Sequence, residues 1–217
     1  MNRIAIRCSF TALAALAAMT CANRAVLAQT WTELGDAGQN GVAAAQNTVG
    51  SGPLTQIQGV LTGFSDVDVF CIEVTDHTTF RAFVGGFGGD SMLWLFNPSG
   101  TLQVWNDNAS VFAQEGDIGE QGVFSNGIYY LAISNYNLQP RDAANTSLTL
   151  TTLWPGPQYQ QRQGTTGTLD HWTALNSGPP MESYRIALIS AAFAPAPGAG
   201  AAPVLGGLAA VRRPRRR

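Results

Sequence analysis

Between Leu54 and Ser190 the apolar residues come in short runs of Val, Ile, Leu, Phe, Tyr and Thr, set apart by clusters of Gly, Asn, Asp and Pro. No stretch sustains the repeat of an amphipathic helix. Runs of this kind, bounded by turn formers, predict an all-β sandwich or barrel. About eight strands are expected, near Ile57 to Thr62, Asp68 to Val74, Thr79 to Val84, Met92 to Asn97, Leu102 to Asn106, Ile128 to Ser134, Ser147 to Thr152 and Tyr184 to Ser190.

Side chains alternate within these runs. Phe70, Ile72 and Val74 fall on one face and Val69, Cys71 and Glu73 on the other, while Leu93 and Leu95 oppose Trp94 and Phe96. In Ser147 to Thr152 the leucines Leu148 and Leu150 share a face and the hydroxyls take the other, the pattern of a strand with one wet side. Phe70, Leu93 and Leu148 are therefore expected to converge on one dry seam between two layers. Asn97-Pro98-Ser99-Gly100 suits a type I turn, with Pro presetting φ at the second position, so Met92 to Asn106 reads as a hairpin. From Trp154 to Pro180 the periodicity lapses over a length greater than an ordinary loop. Trp154, Tyr159 and Trp172 there predict an excursion across the sandwich, with His171 and Trp172 as packing residues.

The ends have a different character. Arg3 and Arg7 precede an uncharged run from Phe10 to Met19 and then Val26-Leu27-Ala28. That is the layout of a secretory signal, too short for a membrane span, with cleavage expected between Ala28 and Gln29. Acylation at Cys21 is the alternative. Three parts follow: a signal at 1–28, a folded domain at 29–194 and a tail at 195–217. All twelve basic residues are Arg, and only Arg81, Arg141, Arg162 and Arg185 fall in the domain, which holds all fourteen acids. Four cations against fourteen anions leave a net charge of −10, which repels phosphate backbones and argues against nucleic-acid binding. After cleavage Cys71 stands alone among apolar neighbours, so no internal disulfide can form and a small buried hydrophobe is its expected role.

Several of these blocks resemble a known family. Ser65-Asp66-Val67-Asp68-Val69-Phe70, Asp90-Ser91-Met92-Leu93-Trp94-Leu95-Phe96-Asn97-Pro98-Ser99-Gly100, Asn106-Asp107-Asn108 and Gly127-Ile128-Tyr129-Tyr130-Leu131-Ala132-Ile133-Ser134 are similar, in that order, to the bacterial pre-peptidase C-terminal (PPC) domain. The similarity runs from about Leu54 to Thr152. It implies a jelly-roll-like antiparallel β-sandwich and a non-catalytic module of secreted proteins, often appended to peptidases; no peptidase precedes it here. Pro195-Ala196-Pro197, the apolar stretch Ala199 to Val211 and the arginines Arg212, Arg213, Arg215, Arg216 and Arg217 resemble the PEP-CTERM sorting signal. Ala196 stands where that signal usually has Glu, and the apolar stretch is shorter than a full span. The resemblance implies export through the Sec translocase, signal peptidase cleavage, transient membrane contact through the tail, processing by an exosortase and a place at the cell envelope surface or outside it. An unstructured Ala/Gly/Pro tail is the alternative.

Candidate chemistry is sparse. Some PPC domains bind calcium, and Asp66, Asp68, Asp90 and Asp107, with Asn106 and Asn108, fall at strand ends where loops can gather oxygen ligands for Ca2+. The competing expectation is that they cap turns. Trp94 and Trp105, with Phe96 and Tyr129 or Tyr130, would form an outward aromatic platform able to stack on a surface polysaccharide, or else pack under a loop or second sheet. For catalysis, Gly89-Asp90-Ser91-Met92-Leu93 lacks the final Gly of a nucleophile elbow, and His77 and His171 form no metal-binding pair. Glu115, Asp117 and Glu120 sit among glycines as a solvated loop would. The sequence thus predicts a non-enzymatic protein, with no cofactor beyond the calcium just considered.

Overall fold

The computed structural model describes residues 28–85, 90–107, 117–118, 125–136, 138–149, 161–162, 167–174 and 183–195. The apolar start and the arginine tail lie outside these residues, as do Leu150 to Thr152, Asn108, Glu115 and Glu120. Among the described residues the chain is all-β apart from one 3-10 turn, Val42–Ala44, and no helix is long and apolar enough to cross a membrane.

In chain order the strands are β1 Gln29–Thr32, β2 Gln46–Asn47, β3 Leu54–Gly59, β4 Val67–Val74, β5 Arg81–Val84, β6 Ser91–Phe96, β7 Leu102–Asn106, β8 Asp117–Ile118, β9 Gly127–Asn135, β10 Leu138–Arg141, β11 Gln161–Arg162, β12 His171–Ala174, β13 Tyr184–Ile189 and β14 Ala191–Phe193. A front sheet runs β1-β3-β13-β5-β8. A central sheet runs β11-β7-β6-β9-β4-β14, with β2 also on β4, and β10 pairs β12 as a separate ribbon. Pairing is antiparallel except for β1 on β3 and β2 on β4. The chain crosses from the front sheet to the central one at Ser190, whose φ of 56° makes the corner between β13 and β14.

Burial follows side-chain parity. Phe70, Ile72, Leu93, Leu95, Val104, Leu131 and Ile133 turn inward to meet Leu54, Ile57, Ala82, Ile186 and Leu188 of the front sheet. The opposite parity of the central sheet builds a second core. Val69, Trp94, Phe96, Trp105 and Ala132 pack there with Leu138, Leu148 and Leu169, closed by Val42 and Trp172. Every residue of β6 is therefore buried, whereas β13 alternates buried and more exposed positions, as a strand with one wet face does.

The hairpin forms in the expected place. Trp94 pairs Trp105 and Leu95 pairs Val104, and the Gly100 amide donates to the Asn97 carbonyl at 2.9 Å. Gly100 takes φ 83°, a left-handed conformation that costs glycine least.

Two expectations are corrected. Ser147 to Thr149 is not a strand: Ser147 makes only an isolated bridge to Arg141. Its hydroxyl oxygen accepts from the Thr149 amide at 3.1 Å, a local bond that competes with a sheet ladder. Thr149 is buried rather than wet, its hydroxyl accepting from Gln139 Nε2 at 2.8 Å. And although Phe70 and Leu93 converge on the inner core, Leu148 joins the outer one. The strands absent from the sequence reading (β1, β2, β8, β10, β11, β12 and β14) are two to four residues long, too short for alternation to register.

Candidate functional site

The carboxylates expected to share one cation do not gather. Asp66 caps a turn, its Oδ2 accepting from the Thr62 amide at 2.6 Å and the Thr62 hydroxyl at 2.9 Å. Asp68 keeps the inward parity of Phe70 and Ile72, so it points between the sheets. Asp90 and Asp107 lie just outside the paired ends of β6 and β7. Among the described residues the carboxylates grouped with Asp68 include neither Asp90 nor Asp107.

Asp68 instead meets two acids from the N-terminal segment. Glu33, Asp36 and Asp68 each bring a carboxylate oxygen to within 4.8 Å of the others. The segment is held there by β1 lying parallel on β3, by the Glu33 amide donating to the Gln58 carbonyl at 2.9 Å, and by Trp31 Nε1 donating to Gln46 Oε1 at 3.0 Å. Glu33 is fixed by backbone donors, Oε1 accepting from the Ala37 amide at 3.0 Å and Oε2 from the Val60 amide at 2.9 Å. Tyr184 of β13 donates its hydroxyl to Asp68 Oδ2 at 2.6 Å. Gly59 lies beneath, and a Cβ there would collide with both Glu33 Oε2 and the Tyr184 hydroxyl.

One oxygen is left over. Asp68 is fully buried, and its Oδ1 has no hydrogen-bond donor. Burial, reinforced by the charges of Glu33, Asp66 and Asp36 against the Tyr184 bond, pushes the Asp68 carboxyl up to about 8. Burial also raises Glu33, although its backbone bonds pull the other way. Tyr184 is held far above the ordinary phenol range by burial and by the Asp68 charge. Three converging carboxylates with one buried orphan oxygen either retain a proton between Glu33 and Asp68 or take up a cation. Oxygen-only donors of this charge suit a hard divalent ion such as Ca2+.

Sequence reasoning missed Glu33, Asp36 and Tyr184. A signal was present for Asp68: an acid in register with Phe70, Ile72 and Val74 has to be buried if they are. Nothing in the alternation tied Glu33 or Asp36 to it, because β1 is too short to show a pattern.

The aromatic platform is corrected. Trp94 and Trp105 stack at 5.5 Å between ring centroids, and Trp172 meets Trp94 edge-on at 5.4 Å. Trp94 is 0% and Trp105 1% exposed, and Tyr129 belongs to the inner core on the other side of the sheet. These three residues therefore offer no common outward surface for a sugar ring. Trp172 packs as expected, its Nε1 donating to the Gln39 carbonyl at 2.9 Å.

Other reactive side chains are engaged elsewhere. Cys71 is buried, its thiol pushed up to about 11 by burial. His77 Nδ1 contacts Asn126 Oδ1 at 2.9 Å, and His171 Nδ1 contacts Asp170 at 2.9 Å. Asp117 pairs with Arg81, whose Nε donates to Asp117 Oδ1 at 3.0 Å. No family model and no curated protein matches the chain.

Proposed function

We propose that the chain is a non-enzymatic, exported β-sandwich of the PPC, jelly-roll type, sorted to the cell surface through its tail, and that its folded part binds calcium at Glu33, Asp36 and Asp68. The buried, donorless Oδ1 of Asp68, on a carboxylate that stands close to two others, carries the cation reading. A buried carboxylate without a partner is costly, and a divalent ion converts that cost into attraction. The remaining coordination would come from water and main-chain oxygens.

The sandwich order supports the jelly-roll reading, because strands distant in sequence, such as β3 and β13, lie side by side. Export is supported by the sequence layout of residues 1–28, and β1 opens at Gln29, the residue after the proposed cleavage bond. On the same reading the tail opens at Pro195, which is exposed and directly follows the buried Ala194.

Calorimetric titration of CaCl2 into EGTA-stripped protein tests the site. Saturable binding abolished by Asp68→Asn and by Gly59→Ala is expected. Heat that stays at dilution level in the folded wild type would sink it. Intact-mass analysis and fractionation test the sorting: loss of residues 1–28 and cleavage near Pro197 are expected, and a cytoplasmic, uncut chain would refute it.

A further inference from the structure

The N-terminal arm is seated on the body by contacts that a second copy can reproduce. β1 lies at the edge of the front sheet and, among the described residues, pairs only with β3. It runs parallel to β3, whose other side is taken antiparallel by β13, so the arm is laid along the edge and is not tied to it by a hairpin. No residue of β1 is fully buried. Its apolar anchor is Trp31, half-buried against the inner core, with Nε1 donating to Gln46 Oε1 at 3.0 Å.

A short hinge joins the arm to the body. The Glu33 amide still donates to the Gln58 carbonyl of β3, and by Ala37 the chain is back in the inner core, the Ala37 carbonyl accepting from the Val69 amide at 3.4 Å. Leu34, Gly35 and Asp36 between them are exposed. Gly35 takes φ 73°, with nothing within 4 Å of where a Cβ would stand, so the bend can straighten without a clash. Two large apolar side chains are left uncovered here, Leu34 at 67% and Val60 at 48% exposure, the Val60 amide donating to Glu33 Oε2. Strand and groove are the same in every copy, so exchange preserves their contacts and alters only the hinge, and short hinges favour it. We infer that β1 is an exchange arm: two copies form a symmetric homodimer in which residues 29–33 of each lie along β3 of the other. Asp68 then faces Glu33 of the partner subunit, and Leu34 and Val60 are covered where the straightened hinges cross. The inference rests on the export reading, which makes Gln29 a free chain end, and not on the calcium reading.

For the test, the full chain is expressed with residues 1–28 in place, recovered after export and weighed by intact mass. Sedimentation is expected to show a monomer and a dimer whose balance shifts with protein concentration. Topology is read with Thr30→Cys and Gln56→Cys together, because these positions are Cα partners across β1 and β3. After gel filtration, oxidation, thiol quenching and denaturation, the dimer fraction should run as a covalent dimer and the monomer fraction as a single chain closed on itself, which no longer dimerises until reduced. Each single variant controls for Cys71. Gly35→Ala is strained at this φ only while the hinge is bent, so the dissociation constant of its dimer should fall by about tenfold or more. If the cysteine pair prevents folding, that shift is the reading that decides. A chain beginning at Gln29 that stays monomeric at every concentration, with and without Gly35→Ala, would overturn the exchange, and so would a dimer whose cysteine pair closes within each chain. An uncut chain overturns the cleavage reading first, and the free arm with it.

Discussion

The two faces of the central sheet are built from the same strands and do different work. The inner face meets a second sheet through aliphatic side chains, Leu93, Leu95, Leu131 and Ile133, and at its edge sets Asp68 against Glu33 and Asp36. The outer face carries the aromatic residues Trp94, Phe96 and Trp105 and, among the described residues, is closed by a two-stranded ribbon and a 3-10 turn rather than by a full sheet. Because successive side chains of a strand point oppositely, one residue of parity decides which chemistry an acid joins. Asp68, in register with Phe70 and Ile72, therefore joins the inner face.

The strongest way to break that contrast is to remove the anchor of the outer face. Trp94→Ala deletes a fully buried ring that stacks on Trp105, meets Trp172 and donates from Nε1 to the Ser134 hydroxyl at 2.9 Å. A loss of about 3–5 kcal/mol in urea unfolding is expected. Ile189→Ala, on the wet side of β13 at 47% exposure, should change stability by no more than about 0.5 kcal/mol. Equal losses would mean that the ribbon does not seal the outer face.

Much of this could be foreseen and some could not, for physical reasons. The inward parity of Phe70, Ile72 and Val74 and the Asn97 to Gly100 turn are local properties, and both are found in the fold. The covering of Trp94 is not local. An all-apolar Met92 to Phe96 has the composition of a strand buried on both faces, but its cover comes partly from residues near Val42 and Leu169, distant in sequence. Leu148 lies in the other layer from the one alternation predicts, because Ser147 and Thr149 look like the wet side of a strand, while in the fold their hydroxyls bond to each other and to Gln139. The candidate site was half legible: Asp68 could be read from register, whereas Glu33 and Asp36 reach it through a parallel pairing of β1 that only the folded chain reveals.

Calcium should sharpen the inner-face chemistry by a somewhat smaller amount. A ligand at a hundred times its Kd stabilises the folded state by about 2.7 kcal/mol, which would appear as a rise in Tm over EGTA-treated protein. Asp68→Asn should lose whatever part of that rise belongs to the Glu33 site. Tyr184→Phe should keep part of it, since the phenol bonds Oδ2 and leaves Oδ1 free for the ion. An undiminished rise in Asp68→Asn would move the ion elsewhere.

The metal-free protein should also carry a pH signature. Burial raises Asp68 to about 8 and Asp107 to about 7, whereas in the unfolded chain an Asp titrates near 4. Between these limits the folded state holds more protons than the unfolded state, so unfolding free energy falls as pH rises. The groups facing Asp68 are Glu33, Asp36, Asp66 and Tyr184, of which Glu33 is raised as well and adds in the same direction. In EGTA, Tm should therefore be highest near pH 4–5 and decline towards pH 8; saturating calcium should flatten the slope by replacing the proton. A metal-free Tm that climbs over this range would show these carboxyls to be solvated.

The smallest effect is the most local. Asn97 Oδ1 accepts from the Ser99 amide at 3.0 Å, the Ser99 hydroxyl at 2.7 Å and the Thr101 amide at 3.0 Å, so one side chain ties the hairpin turn together. Asn97→Ala removes all three acceptor contacts, but the donors sit at a partly exposed turn where water can replace the oxygen. A net hydrogen bond in such a place is worth about 1 kcal/mol or less, and the Gly100 amide still closes the turn onto the Asn97 carbonyl. A loss of about 1 kcal/mol is therefore expected, with calcium binding unchanged, since the turn supplies none of Glu33, Asp36 and Asp68. A drop in bound calcium would mean that the hairpin transmits strain along its whole length, and that the two ends of the central sheet are not independent.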